Sequence, residues 1–385
     1  MQGAGPIPPE EEWETLEKPE NFRCPQAVLR VINRIRAEDD QLEQTRGRHT
    51  TVNGEDVPVE GSARVLILPA DDRRQERLEE ARRWLAEQDE DEGWLEEEDE
   101  ESLRLLVLVH RMAATRLGFP NLYAALNDKS PEDLSTGLID GTAWVVRPFL
   151  SYILPLVQAR HEGREFELIR LLRKHSPRLQ PDALTEIDAA GLLNNLQGQI
   201  GELVAMLQPD SGARIGDVVR FLRDNNLMPF DERYVELIEL YAATAEPVAD
   251  PATDNAALRF MQSDSLELWG YRKYIEKLSP FATQQGIKGA EFDKVIVVVD
   301  DQEGRTNTFS YGKYFGVTEP SDTDRKNMAE GKDSVIDRTR RLFYVCCSRA
   351  LSDLTVVIFA EDTALMREAL LARGFFEPEC VYTPD

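Results

Sequence analysis

The chain has 385 residues, 42% apolar and 30% charged, enough for two or three domains and a sizeable core. Its formal net charge of −26 argues against a broad basic surface for nucleic acid, so any such contact must be a local groove. No apolar run approaches the ~20 residues that span a bilayer, and the acidic start MQGAGPIPPEEEWE lacks the apolar stretch of a signal peptide, so the expectation is a cytoplasmic protein with no membrane partner.

Strand and helix signals alternate through the first part. PQAVLRVINRI, after the segment KPENFR, has helical spacing. ARVLILPA (Ala63 to Ala70) reads as a buried strand, and DRRQERLEEARRWLAEQ follows as a helix with Leu78, Ala81 and Leu85 on one stripe. Glu87 to Glu101 holds eleven acids and no bases and reads as a solvated loop. LRLLVLVH (Leu103 to His110) is a second strand, and RMAATRLGFPNLYAALND is a helix interrupted before Pro120.

From about Ser135 to Tyr274 the spacing is helical almost throughout, with AEPVADPATDNA (Ala245 to Ala256) as a linker. The strand–helix pattern then returns. DKVIVVVD (Asp293 to Asp300) is a strand, DSVIDRTRRLFYVCCSRA (Asp333 to Ala350) a helix, DLTVVIFA (Asp353 to Ala360) a strand, and a last helix stops at Gly374. The expected architecture is α/β: a parallel sheet with helices on both faces, interrupted by a mostly α-helical inserted domain. Its parts are 1–130, the helical 131–275, and 276–385.

TQQGIKGAEFDKVIVVVDD (Thr283 to Asp301) invites a phosphate-loop reading, but nothing in the chain fits G-x-x-x-x-G-K-[ST], whose backbone amides, lysine and hydroxyl serve phosphate and Mg²⁺. Asp300 and Asp301 could present carboxylates to Mg²⁺, the alternative being a buried strand ending in a polar turn. Cys24, Cys346, Cys347 and Cys380 lack zinc spacing and are expected to be reduced thiols, and no metal-ligating set is read from the sequence.

Three segments carry a stronger signal: NFR within Lys18 to Arg36, KGAEFDKV, and RRLFYVCCSRA. In this order they resemble motifs IV, V and VI of the second RecA-like domain of superfamily 1 DNA helicases of the UvrD/Rep/PcrA type. The resemblance implies a RecA-like fold and an ATP-dependent 3′ to 5′ DNA helicase or translocase that uses Mg²⁺ and works on single-stranded and duplex DNA. Repair, recombination and phage defence all use such motors. Arg341 and Arg23 resemble its two catalytic phosphate-contacting arginines, and Glu291 its ribose-binding glutamate. Lys288 and Gly289 shape the same ATP-binding turn. Thr283 and Gln285 fall where the DNA channel is bordered, with Gln285 in place of the usual histidine, and Ser348 and Arg349 are assigned to DNA as well. Arg341, Tyr344 and Ser348 share one helical stripe, Leu342, Val345, Cys346 and Arg349 the adjacent, core-facing one, and Arg340 is read as solvated. Trp144, Phe149, Tyr152 and Trp269 could stack on bases or simply be core.

The first RecA-like domain of such a motor has no counterpart in these 385 residues. The chain alone is therefore expected not to hydrolyse ATP, the partner domain coming in cis from a longer product or in trans. The rival expectation is a catalytically inactive helicase-like module that binds a protein or a nucleic acid. A third is an independent nucleotide-binding protein using Asp300 and Asp301.

Overall fold

A computed structural model describes residues 18–96, 103–107, 110–180, 189–244, 255–276, 281–283, 290–304 and 309–384. It divides into two compact units, residues 1–108 with 282–385, and residues 109–281.

The discontinuous unit is α/β. Its strands are β1 (Glu20–Asn21), β2 (Thr45–Arg46), β3 (His49–Val52), β4 (Glu55–Pro58), β5 (Ser62–Pro69), β6 (Leu103–Val107), β7 (Phe281–Thr283), β8 (Phe292–Val299), β9 (Ala350–Ala360) and β10 (Val381–Tyr382). Six of them form one sheet in the order β10–β5–β9–β8–β6–β7, and the pairs β10–β5, β5–β9, β9–β8 and β8–β6 are all parallel. Val65, Val356, Val297 and Leu106 sit in register across it. Val295 to Val299 and Val65 to Leu68 are buried at every position. Successive side chains point to opposite faces, so both faces are covered, which is why these strands read as continuous apolar runs rather than alternating ones. The Gln26–Arg36 and Thr363–Arg373 helices pack on β5 and β9, the Val335–Cys347 helix on β8, and the Arg74–Asp89 helix on β5.

Two local features depart from the sequence reading. The acidic run is not simply solvated. Asp89 accepts from Arg64 Nη1 at 2.9 Å and from the buried Trp94 indole at 2.8 Å, and Asp91 pairs with Lys294 Nζ at 2.8 Å. Strands β5 and β8 thus supply cations that dock the described part of the run. Asn53 and Gly54, both at positive φ, close the β3–β4 hairpin, a turn that the Asn-Gly dipeptide signals and the sequence reading passed over.

The second unit is helical. Its elements include Glu132–Asp140, a π-helical turn at Phe149–Ile153 continuing into Leu154–His161, then Glu165–His175, Ala189–Met206, Ile215–Asp224, Glu232–Ala243, Ala256–Gln262 and Glu267–Ile275. The stretch after β6 also belongs here. It forms two helices, His110–Arg116 and Pro120–Asn127, with Pro120 at the first turn of the second, where its missing N–H costs nothing. Ala114, Phe119, Leu122 and Leu126 join the helical core, and the Glu267 carboxylate accepts from the Leu122 amide at 2.7 Å. The division therefore falls at 108/109 and 281/282 rather than after 130 and 275. Residues 245–254 lie outside the described set, but Asn255 and Ala256, read as linker, are the N-cap and first turn of a helix.

Candidate nucleotide-facing site

Arg23 is placed by a turn. The Asn21 side-chain oxygen Oδ1 accepts from the backbone amides of Arg23 and Cys24, both at 2.9 Å, an arrangement that fixes the backbone ahead of the Gln26–Arg36 helix. From there the Arg23 guanidinium reaches Glu291, with Nε 2.6 Å from Oε1. The contact is a close charge pair rather than a well-directed hydrogen bond. Its Nη1 donates to the Ser348 carbonyl at 3.5 Å, and the Cys24 thiol lies 3.7 Å from the same oxygen.

Arg349 completes the cluster. Its Nε donates to the Val345 carbonyl at 3.2 Å and its Nη1 to the Ala290 carbonyl at 3.4 Å. The Phe292 amide returns a bond to the Arg349 carbonyl at 3.1 Å. Arg349 thereby ties the end of the Val335–Cys347 helix to the start of β8. Burial, and after it the nearby Arg23 charge, lower its pKa from the usual arginine value. Arg48 stands beside this group. Its amide donates to the Cys24 carbonyl at 2.8 Å, its Nη1 to the Leu351 carbonyl at 2.7 Å, and its guanidinium lies 4.0 Å from Asp293. The N-terminal ends of β8 and β9 thus gather three arginines against two carboxylates in a chain that is strongly acidic overall.

Arg341 is elsewhere on the same helix. Its guanidinium pairs with Asp333, just before the helix, and Arg338 shares that carboxylate at 3.2 Å. Burial raises the Asp333 pKa and the Arg341 and Arg338 hydrogen bonds lower it, with a net downward result. Seven residues separate Arg341 from Ser348, about 10 Å of helix rise. Arg341 therefore shares a helix face with the Arg23 cluster without touching it.

The faces of this helix are rotated from the sequence reading. Its buried residues are Thr339, Phe343, Cys346 and Cys347, while Leu342 and Val345 are half-buried. Phe343 is the reason. It packs against Tyr311, Tyr314, Phe315 and Phe375, with ring centroids 5.6–6.1 Å away. Arg340 is not solvated: it pairs with Asp39 at 2.6 Å and Asp337 at 3.1 Å, and donates to the Glu38 carbonyl at 2.8 Å. The Ser348 hydroxyl donates to the Val345 carbonyl at 3.1 Å, so its side chain is turned to its own helix.

Asp300 and Asp301 are consumed internally. Asp300 is buried, held by Arg74 Nε at 2.7 Å and by the Gln302 amide at 3.0 Å. Asp301 caps the Tyr311–Phe315 helix, accepting from the amides of Tyr311 at 2.9 Å and Gly312 at 2.8 Å and from the Ser310 hydroxyl at 2.9 Å. Thr283 is in β7. Gln285, Lys288 and Gly289 lie outside the described residues. Of the aromatic candidates in the helical unit, Phe149 and Tyr152 are buried, and Trp144 and Trp269 pack partly into the core.

Sequence reasoning missed two residues at this site. Phe22 is 59% exposed, next to Arg23 in sequence, with the Arg46 guanidinium 4.6 Å from its ring centre. An outward aromatic ring is costly to leave in water, and its place within NFR was the available signal. Arg48 had none, because only the fold of 45–60 brings it to the cluster.

No protein-family model matches the chain. It is 22% identical over 293 residues to Gabija protein GajB of Bacillus cereus (strain HuB5-5), a match that takes in 68% of this chain and 40% of that protein.

Proposed function

We propose that the α/β unit is the second RecA-like domain of a helicase-like, ATP-driven DNA motor and forms one wall of its nucleotide cleft. The observation that carries the reading is the convergence of Arg23, Glu291 and the end of the Val335–Cys347 helix at one end of the sheet, from segments far apart in the chain. The three-motif resemblance and the distant likeness to GajB support it at the coarse level. The finer reading, 3′ to 5′ translocation on single-stranded DNA bordered by Thr283, Gln285, Ser348 and Arg349, belongs to the same proposal.

The residues present suit a nucleoside triphosphate. Arg23 and Arg341 offer fixed positive charge where charge develops in phosphoryl transfer. Glu291 is engaged with Arg23 through Oε1, which leaves Oε2 for a ribose hydroxyl. The exposed Phe22 ring offers a face for a base. Lys288 and Gly289, outside the described residues, are assigned to ATP by the motif resemblance alone. Arg341 pairs with Asp333, and a γ-phosphate of higher charge competes for the same guanidinium. Mg²⁺ ligands belong to a first RecA-like domain, in cis or in trans, because Asp300 and Asp301 already bond within this unit.

In the assembled motor, Arg341→Ala and Arg23→Ala each lower ATP turnover by about 10³-fold or more while leaving the fold intact. The chain alone shows no DNA-stimulated turnover. Robust turnover by the purified chain, or full activity of both variants in the assembled motor, overturns the reading.

A further inference from the structure

A cavity of about 260 Å³ opens at the C-terminal ends of the parallel strands in the α/β unit. Ala70 after β5, Asp301 after β8 and Glu361 after β9 stand on its wall. Strand β8 runs from Phe292 to Val299, so roughly 20 Å of strand separates the cavity from the Arg23 cluster at the other end. Nothing in the nucleotide-cleft reading uses it.

Topology places it there. The chain leaves β5 through the Arg74–Asp89 helix for β6, and leaves β9 through the Thr363–Arg373 helix for β10. In the order β10–β5–β9–β8–β6–β7, these crossovers run in opposite directions from neighbouring strands. Right-handed crossovers then put their helices on opposite faces, and the loops after β5 and β9 part. Open α/β sheets bind ligands in the crevice that such a parting leaves.

The buried lining is apolar and the exposed lining is negative. Val299, Ile358 and Met366 are buried, whereas Asp301, Glu361 and Asp362 are exposed. All three carboxylates accept from neutral donors. Asp301 takes the Tyr311 and Gly312 amides and the Ser310 hydroxyl, Glu361 the Gln302 side-chain amide, and Asp362 the Leu365 amide at 2.9 Å. None of the three pairs with a cation among the described residues. Arg74, which donates to Gln302 Oε1 at 2.6 Å, is matched by the buried Asp300.

The wall also holds an unspent hydroxyl. Tyr311 lines the cavity and is 1% exposed, and its hydroxyl has no hydrogen-bond partner among the described residues. Buried polar groups are almost always paired, so a bare hydroxyl in a cavity wall marks a place for a bound group. Burial pushes the phenol well above its usual value, so it stays a neutral hydroxyl able to accept from an N–H.

The volume is just under the ~300–1,000 Å³ typical of drug-sized ligands, so the occupant is small. Three carboxylates without a cation repel an anion and attract positive charge. Among the described residues no set of acidic, histidine or cysteine groups could hold a metal ion, which leaves an organic cation. We infer that this cavity binds a linear alkylammonium ligand, its charge among Asp301, Glu361 and Asp362, a further N–H at the Tyr311 hydroxyl and its methylenes along Ile358 and Met366. The site stands apart from the nucleotide-facing cluster, and its test uses neither ATP nor DNA.

The full chain, with isotope-labelled methionine methyl groups, is titrated with spermidine and followed by NMR. Salt of about 0.15 M, with a Debye length of ~8 Å, screens the general field of the acidic chain. The Met366 resonance, identified by its loss in Met366→Leu, moves saturably with spermidine and not with octanediol, which is uncharged and of similar length. Glu361→Gln weakens the response about tenfold, and Glu361→Lys, which supplies an ammonium of its own, abolishes it. Glu55→Gln, on the β3–β4 hairpin, leaves it unchanged. A stationary Met366 resonance overturns the inference, as do a native response in both Glu361 variants or an equal response to octanediol. Binding of acetyl-lysine amide, with its side-chain ammonium free, as tight as that of spermidine overturns the assignment to a free amine in favour of a partner protein's lysine.

Discussion

The Arg23 guanidinium reaches the Ser348 carbonyl across 325 residues of sequence and, on its other edge, lies 2.6 Å from the Glu291 carboxylate. One side chain therefore joins three segments, its own separated from the other two along the chain by a whole helical unit. Both members of the Arg23–Glu291 pair are about a third or more exposed, so the pair contributes no more than ~1 kcal/mol to stability. Glu291→Ala should shift the thermal midpoint by only a few degrees yet weaken nucleotide binding by the assembled motor about tenfold. A large loss of stability with unchanged nucleotide affinity would show that the pair is structural.

Phe343, rather than the Leu342–Val345 pair, anchors the Val335–Cys347 helix. Its ring is fully buried among four other aromatic rings. Phe343→Ala should cost about 3–5 kcal/mol through lost burial and the cavity left behind, measured by urea unfolding of the α/β unit. Leu342→Ala, at a half-buried position, should cost clearly less. The reverse ranking would contradict the observed helix orientation.

Two glycines of the helical unit should respond in opposite directions to alanine. A Cβ on Gly270 would lie 2.0 Å from the Leu117 carbonyl oxygen, a backbone atom with no rotamer to yield, so Gly270→Ala should destabilise by about 1–3 kcal/mol. Gly201, within the Ala189–Met206 helix, has nothing within 4 Å of such a Cβ, so Gly201→Ala should stabilise by about 0.5–1 kcal/mol. Calorimetry of the two variants gives the signs directly.

Asp324 sets part of the acid limb of stability. Hydrogen bonds from Lys313 and Ser321 hold its carboxyl down to about 2, against an ordinary 3.8. A depressed carboxyl contributes stability that is complete above its unfolded value and is lost as pH falls through its folded one. Asp324→Asn should therefore reduce the fall in the urea midpoint between pH 4 and pH 2, a window set by those two values. Identical pH profiles for variant and native chain would remove Asp324 from the acid response.

The four thiols should separate under a thiol-reactive dye. Cys24, Cys346 and Cys347 are buried and Cys380 is half-exposed. Burial pushes the Cys347 thiol well above its usual value and also raises Cys380, so the single early label should fall on Cys380, and slowly. Cys380→Ser should abolish the early phase, with the remaining thiols reacting only in denaturant.

Much of this protein was determined locally. The strands β5, β8 and β9 are legible because a strand covered on both faces must be apolar at successive positions, and Val65–Leu68 and Val295–Val299 are. The helical character of the middle of the chain is legible because 3.6-residue spacing records one buried stripe per helix. The motif residues around Arg23, Glu291 and Arg341 were likewise visible as short local patterns. Tertiary structure decided what depends on partners distant in sequence. Residues 110–127 follow a sheet strand yet join the helical core, because Phe119 and Leu122 find their apolar neighbours there. The helix holding Arg341 turns on Phe343, because aromatic rings from 311–315 and 375 surround that residue and not Leu342. Asp300 and Asp301, which a metal-binding strand end would expose, are taken by Arg74 and by the amides of 311–312. Local spacing records which face of an element is buried. Only the packed chain assigns each charge its partner, because a charge buried without one costs more than a single domain can spare.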